Sequence, residues 1–311
     1  MGATGTAEIP RRTLGKTGEQ VSILALGGAH IGGKPSPAEA TRIVHAAIDA
    51  GMDFMDNAWE YNDGESERRM GDALAQAGYR QRAFLMTKNC AHDRLADHSM
   101  LKLDESLRRL RTDYLDLWQI HEVVWPDDPD RIFAPGGAAE AMLKAKEQGK
   151  VRYIGFTGHK STAIFKRMLD QGFPWDTLQM PVNALDAHFE SFEREILPIA
   201  LAQDIGVVGM KSLASGHLLT GTDLTPQEAI AYSLSLPIST LCVGVDSMAV
   251  LDQDLAIGRG FQPLSTEERE RILARSAPHA AGGRLEPFKT THDFEGTEAR
   301  REHGLPLRAA D

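Results

Sequence analysis

The sequence predicts an α/β protein folded as a single (β/α)8 (TIM) barrel, and three observations carry that prediction. Short apolar runs alternate with amphipathic stretches eight times between residues 21 and 260. That span is close to the ~250 residues over which such a barrel usually closes. The main rival, a doubly wound nucleotide-binding sheet, needs Gly-x-Gly-x-x-Gly after its first strand. Gly27-Gly28-Ala29-His30-Ile31-Gly32 lacks that spacing, although Asp56 could serve as the acid such a sheet wants after its second strand.

Residues 1–20 read as an entry segment, with Gly15-Lys16-Thr17-Gly18 at the tip of a hairpin. Gly15-Lys16-Thr17 ends like a phosphate loop, but Pro10 stands where the upstream glycine is required. The first barrel strand, 21–26, ends in Gly27-Gly28, and helix 37–50 sets Ile43, Ala46, Ala47 and Ala50 on one face. Strand 54–56 and helix 65–74 follow, joined through the turn formers Asn62, Asp63 and Gly64. Gly71 lets that helix approach its neighbours closely.

The third pair is strand 84–88 and helix 97–110, whose Met100, Leu103, Leu107 and Leu110 form one buried stripe. Strand 115–120 runs directly into His121, and a loop with Trp125 leads to helix 138–148. Strand 153–156 precedes helix 161–171, which Ser161 is placed to cap. Strand 177–180 precedes helix 192–204, and strand 206–210 precedes a helix starting near Thr225-Pro226, where proline suits the first turn. The eighth strand is 241–243 and its helix runs from 247 to 255. The organisation is therefore an entry segment 1–20, a barrel 21–260, and a C-terminal part 261–311. That last part holds helix 266–276 and a polar tail, which either covers one barrel face or is partly disordered.

Hydrophobic residues at 42% and charged residues at 25% are ordinary for a soluble globular chain. A net charge of −10, with no basic run longer than two, argues against nucleic acid or an anionic membrane as partner. Cys90 and Cys242 are expected to be reduced thiols of a cytoplasmic protein. No apolar run is long enough for a membrane span, and the start lacks a signal peptide's apolar core. Gly2 and Thr6 match a myristoylation pattern too short to carry weight. No metal site is expected, because the eleven histidines show neither His-x-His nor His-Glu-x-x-His pairing.

Asp56, Tyr61, Lys88 and His121 fall at or just after the C-terminal ends of the second, third and fourth strands, which converge on one mouth. A phenol there could protonate a carbonyl oxygen if an ammonium lowers its pKa from ~10, with a carboxylate holding the ammonium and an imidazole beside the phenol. Taken singly, each has a structural explanation: a turn cap, a loop tyrosine, a solvated strand end, a core histidine. Jointly they are mutually useful. A lyase using Lys88 as a Schiff-base nucleophile is a separate reading of the same lysine.

The chain resembles the aldo-keto reductase family over residues 12–255. The matching segments are VSILALGG, GMDFMDNAWEYNDGESERRMGDAL, FLMTK, SLRRLRTDYLDLWQIH, VRYIGFTG, LQMPVNALD and CVGVDS. The resemblance implies a barrel binding an extended nicotinamide dinucleotide across its mouth, with Asp56, Tyr61, Lys88 and His121 as the catalytic tetrad. It implies hydride transfer to a carbonyl carbon, with Tyr61 as acid, Lys88 lowering its pKa, Asp56 holding Lys88, and His121 orienting the carbonyl. A non-catalytic redox sensor on the same barrel is the alternative that the family admits.

The cofactor residues implied are Gly28, Ala29 and Asp56 on the early strands. Thr157, Gly158 and His159 stand where the family holds the carboxamide with Ser-Asn, and Gln179 is their partner. Met210 replaces the aromatic residue that stacks on the ring and is followed by Lys211 and Ser212. Leu213, Ser215 and Gly216 would line the pyrophosphate path. Gly244, Asp246 and Ser247 would offer backbone N–H groups at a helix start, and Gln253 and Asp254 would meet the adenine. Members selective for NADP place Lys or Arg after the eighth strand, yet residues 241–254 hold none, and Lys211 and Arg259 are the substitutes available. NADP(H) is expected, with NAD(H) as the alternative. His30, Trp59, Tyr61, His121 and Trp125 would surround a small carbonyl substrate, apolar, aromatic or sugar-like.

Overall fold

The computed structural model describes residues 8–90 and 92–307; the Gly2 and Thr6 pattern and residues 308–311 lie outside them. Among the described residues ten strands form: β1 (Arg11–Thr13), β2 (Gln20–Ser22), β3 (Leu24–Gly27), β4 (Phe54–Asp56), β5 (Phe84–Asn89), β6 (Leu115–Ile120), β7 (Val151–Thr157), β8 (Thr177–Pro181), β9 (Gly206–Met210) and β10 (Thr240–Gly244). β3 to β10 close into a barrel in chain order, with β10 pairing parallel to both β3 and β9. That order excludes the doubly wound sheet.

Alternation along the strands decides what enters the barrel. Phe54, Phe84, Met86, Leu117, Ala25 and Val208 fill its interior, whereas Met55, Leu85, Trp118 and Ile120 face the helices. Continuing the same alternation turns Asp56, Lys88, Gln119 and His121 inward at the C-terminal mouth.

The first predicted strand needs correction. Val21 and Ser22 pair with β1 in an antiparallel hairpin, and the barrel strand begins only at Leu24. Leu14 and Val21 are buried in the interior cluster, so the hairpin plugs the N-terminal end. Arg12 locks it by donating to the carbonyls of Leu234 and Ile238, at 2.6 and 2.8 Å.

The helix predicted at 192–204 is two pieces, Phe192–Glu195 and Leu197–Ala202, because Pro198 cannot continue the first. Ser161 occupies a cap position without a side-chain cap bond, whereas Thr225 forms a full capping box with Glu228. Gly71 meets the backbone of Arg109 and Leu110 closely enough that a Cβ would clash, as close helix packing requires. Among the described residues no helix is long and apolar enough to cross a membrane.

The C-terminal tail packs across the mouth. Lys289, fully buried, pairs with Asp186 at 2.7 Å and Glu286 at 3.0 Å, and Glu286 accepts from Asn183. Truncating one member of such a buried set costs about 3–5 kcal/mol, so the tail's attachment is strong.

Candidate active site

The loop after β4 is built to present Tyr61. Asn62, Asp63 and Gly64 follow it at φ of 54°, 53° and 80°, a left-handed run tolerated by short polar side chains and glycine. Arg109 holds this loop through a 2.9 Å bond to the Trp59 carbonyl, and Thr87 on β5 donates to buried Glu67 of the next helix at 2.6 Å.

Lys88 is 1% exposed and its Nζ donates to Asp56 Oδ1 at 2.7 Å, to the Asn57 carbonyl at 2.8 Å and to Tyr61 Oη at 3.3 Å. Tyr61 and His121 meet edge to face, their ring centroids 5.7 Å apart. The four residues are therefore one constellation. An amine so engaged and enclosed is not presented as a Schiff-base nucleophile.

The expected lowering of the Tyr61 pKa is not what this environment gives. Burial, then the charge of Asp56, pushes the phenol well above its ordinary value. A phenol held neutral is a proton donor, which is the form that carbonyl reduction uses.

His121 is positioned by groups that periodicity did not reveal. Its Nδ1 lies 2.6 Å from Cys90 Sγ and 3.1 Å from Glu60 Oε1. Arg94, wholly buried and paired with Asp128 at 2.7 Å, donates to the carbonyls of His121 and Glu122 at 2.9 and 2.8 Å. Burial opposes charge on both Glu60 and Glu122. The bond and charge of His121 hold Glu60 below the usual carboxylate range, while burial and Glu60 push Glu122 up. Cys242 enters from β10, beside Gly27 and near Asp56.

A nicotinamide carboxamide offers one acceptor and two donors, and the mouth holds matching unpaired atoms. Gln179 donates its Nε2 to Asp56 Oδ2 at 2.9 Å, which turns its Oε1 away; that buried oxygen has no partner. His159 is buried after β7 with Nε2 unpartnered, its pKa driven well down by burial and then by Lys211 and Lys160. Thr157 is buried beside them, and Gly158 has no room for a Cβ against Val123 and Phe165. The residues present fit the group.

Farther along, Lys211, Ala214, Ser215 and Gly216 adopt positive φ after β9, with Ser212 buried and Leu213 half-buried between them. Ser247 caps the helix Met248–Arg259 by accepting from Val250, next to exposed Gly244. On that helix Gln253 is exposed and Asp254 buried. Met210 is half-buried at the end of β9, and Ala29 is exposed beyond Gly28, which packs against Asp56 and Ser66.

Several expected residues are placed differently. Arg259 ends a 12-residue helix that starts at the mouth, about 18 Å away by helical rise, so it does not supply a phosphate contact there. Lys211 lies between two tail rings, its Nζ 4.9 Å from the Phe288 centroid and 5.0 Å from that of Phe294. The cation beside Asp246 is Lys34, paired at 2.5 Å, which follows the first barrel strand and not the eighth. His30 packs on Gly244 near Lys34 and Asp246. Trp59 turns to the helix Ala96–Arg109, donating to Glu105 at 2.7 Å under Lys102 at 3.5 Å. Trp125 is stacked between His292 and His303 of the tail, at 4.6 and 4.0 Å.

Asp254 gives a measurable consequence. Burial raises its pKa to about 7, above the unfolded value near ~3.9. The unfolded chain therefore binds fewer protons between those values, and stability falls as pH rises through that window. Asp254→Asn is expected to remove up to roughly 4 kcal/mol of that loss, raising the urea midpoint at pH 8 and leaving it little changed at pH 4.

The aldo/keto reductase family model matches residues 23–234, and the chain belongs to that family. It is 31% identical to the 6-dehydroglucose reductase of Novosphingobium aromaticivorans, covering 67% of this chain and 70% of that one. With the L-galactose dehydrogenase of Arabidopsis thaliana it shares 26% identity, over 84% of this chain and 92% of the other. Among solved structures, the holo form of an aldo-keto reductase from Bacillus halodurans superposes with a TM-score of 0.73 at 24% identity, over 89% and 100% of the two chains, which shows the shared barrel. Membership makes the protein an oxidoreductase acting on carbonyls.

Proposed function

We propose that this chain reduces the carbonyl of an aldehyde or ketone using a reduced nicotinamide dinucleotide, with Tyr61 as the proton donor. The observation that carries this reading is the Lys88 amine reaching both the Asp56 carboxylate and the Tyr61 hydroxyl inside the mouth. When bound, the reduced nicotinamide supplies the hydride to the carbonyl carbon. Gln179 and His159 hold its carboxamide, Tyr61 Oη gives its proton to the carbonyl oxygen, and His121, its Nδ1 engaged by Cys90 and Glu60, turns its other nitrogen to orient that oxygen. Lys88 stabilises the phenolate left behind, and Asp56 keeps Lys88 in place. The tail and Trp125 keep water from the reacting atoms.

NADP(H) is the proposed cofactor, with Lys34 replacing the missing basic residue after β10 and NAD(H) retained as the alternative. The Lys34 side chain is 75% exposed, so its contribution is that of a surface pair, about 0.2–1 kcal/mol. Lys34→Ala is expected to raise KM for NADPH by up to about fivefold and to leave KM for NADH unchanged; equal effects on both remove Lys34 from phosphate recognition. Two of the relatives are named for sugars, which supports including sugar-like aldehydes among the substrates. Cofactor oxidation measured with a panel of aryl aldehydes and aldoses tests the reading: binding without substrate-dependent loss of absorbance marks a redox sensor instead.

A further inference from the structure

Around His121 Nδ1 five residues of three metal-ligand types gather from three segments: Glu60 after β4, Cys90 and His92 after β5, and His121 and Glu122 after β6. The donor atoms of Glu60, Cys90 and His92 lie within 4.8 Å of one another, as do those of Glu60, His121 and Glu122. Cys90 and His92 are 0% exposed, and His121 and Glu122 are 6% exposed. Glu60 Oε2, both ring nitrogens of His92 and Glu122 Oε2 have no hydrogen-bond partner. His92 Nε2 and Glu122 Oε2 face each other at 3.4 Å without forming such a bond.

Leaving a buried polar group unpaired costs about 1–3 kcal/mol, and four such atoms in one place would be a heavy cost for packing alone. The His92 side chain is aimed into this cluster rather than at a backbone carbonyl, as a core histidine would be. A single cation accepts lone pairs from the Cys90 sulfur, a carboxylate oxygen and one of the two His92 nitrogens together. We propose that Glu60, Cys90 and His92 form a binding site for a soft-to-borderline divalent cation of the zinc class, with His121 and Glu122 closing its coordination. The mixed thiolate, imidazole and carboxylate set selects zinc or cobalt over magnesium or calcium, which take oxygen alone.

Metal–ligand distances of about 2.0–2.3 Å require Cys90 Sγ and His121 Nδ1, 2.6 Å apart, to separate as the ion enters between them, and Cys90 loses its proton to solvent on coordination. No electron is transferred. Because Glu60 and His121 are shared with the mouth, occupancy replaces the Cys90 and Glu60 contacts that position His121 Nδ1, so the cation acts as an inhibitor. That consequence rests on the reductase reading, whereas the binding does not.

The test is a titration of chelator-stripped, full-length protein with Co2+, read by the thiolate-to-cobalt charge-transfer band. One equivalent is expected to produce the band, and Zn2+ to abolish it by displacement. Cys90→Ser removes the band, Cys242→Ser keeps it, and His92→Ala weakens binding by more than the roughly 10–100-fold that an outer-shell partner costs. Zinc-edge X-ray absorption of the wild-type protein, which needs no variant to fold, is expected to show one sulfur ligand with nitrogen and oxygen. A metal coordinated only by nitrogen and oxygen, an unchanged band in Cys90→Ser, or no band at all overturns the proposal. Added Zn2+ is then expected to inhibit reduction reversibly by EDTA. A protein that gives the band but never turns over contradicts the reductase reading and not the metal site.

Discussion

Tyr61→Phe is expected to lower kcat for carbonyl reduction by about 10²–10⁴-fold, the range that a positioned general acid supplies, while the dissociation constant for NADPH stays within twofold, roughly the spread of a neutral surface change. The phenyl ring keeps its place against His121, and the only atom lost is the hydroxyl that Lys88 touches at 3.3 Å. Steady-state kinetics and fluorescence titration of the cofactor separate the two quantities. Because burial keeps the phenol protonated above its ordinary value, the wild-type reduction rate is also expected to show no falling limb from Tyr61 below pH ~10. Full activity in the variant removes Tyr61 from the acid role.

Lys88→Met is expected to have the largest effect on stability and to abolish turnover as well. Lys88 and Asp56 are 1% and 2% exposed and 2.7 Å apart, so removing the amine leaves a carboxylate without its counter-charge in the barrel. Breaking a buried pair in this way costs about 3–5 kcal/mol. Asp56→Asn combined with Lys88→Met leaves no charge to compensate and is expected to recover much of that stability. Turnover is not recovered, because neither the amine nor the carboxylate is there to support the phenol. Urea midpoints and rates across the four members of this cycle measure the coupling; a double variant no more stable than Lys88→Met contradicts it.

What the sequence disclosed depended on periodicity. Phe84, Met86 and Lys88 occupy alternate positions of one strand, so the lysine's inward aim follows from the two apolar residues before it. His121 follows in the same way from Leu117. The hairpin boundary was hidden because Val21 is as apolar as the barrel strand after it, and only the interior showed that Val21 plugs the end. Arg259 is a basic residue of the helix after the eighth barrel strand, but helical rise carries it to the opposite end of the barrel.

Residues on turns left no periodic trace. Arg94, with φ of 61°, reaches the backbone of His121 from the loop before a helix, and Glu60, Cys90 and His92 converge from two separate loops. The one available signal was the Cys90-x-His92 spacing, which is short and common. Trp59 shows the converse: an aromatic near the site fits a substrate wall or packing equally, and here its indole N–H donates to Glu105 while the Lys102 ammonium lies over its ring.

The central claim, hydride delivery matched by a proton from Tyr61, is tested most directly with NADPH deuterated at the transferring carbon and an aldehyde panel, the alcohol products being read by mass spectrometry. One deuterium on the carbinol carbon of the wild-type product, and none from Tyr61→Phe over the same interval, is the predicted result. Bound cofactor with no label transferred to any aldehyde, or equal labelling by the variant, would contradict it.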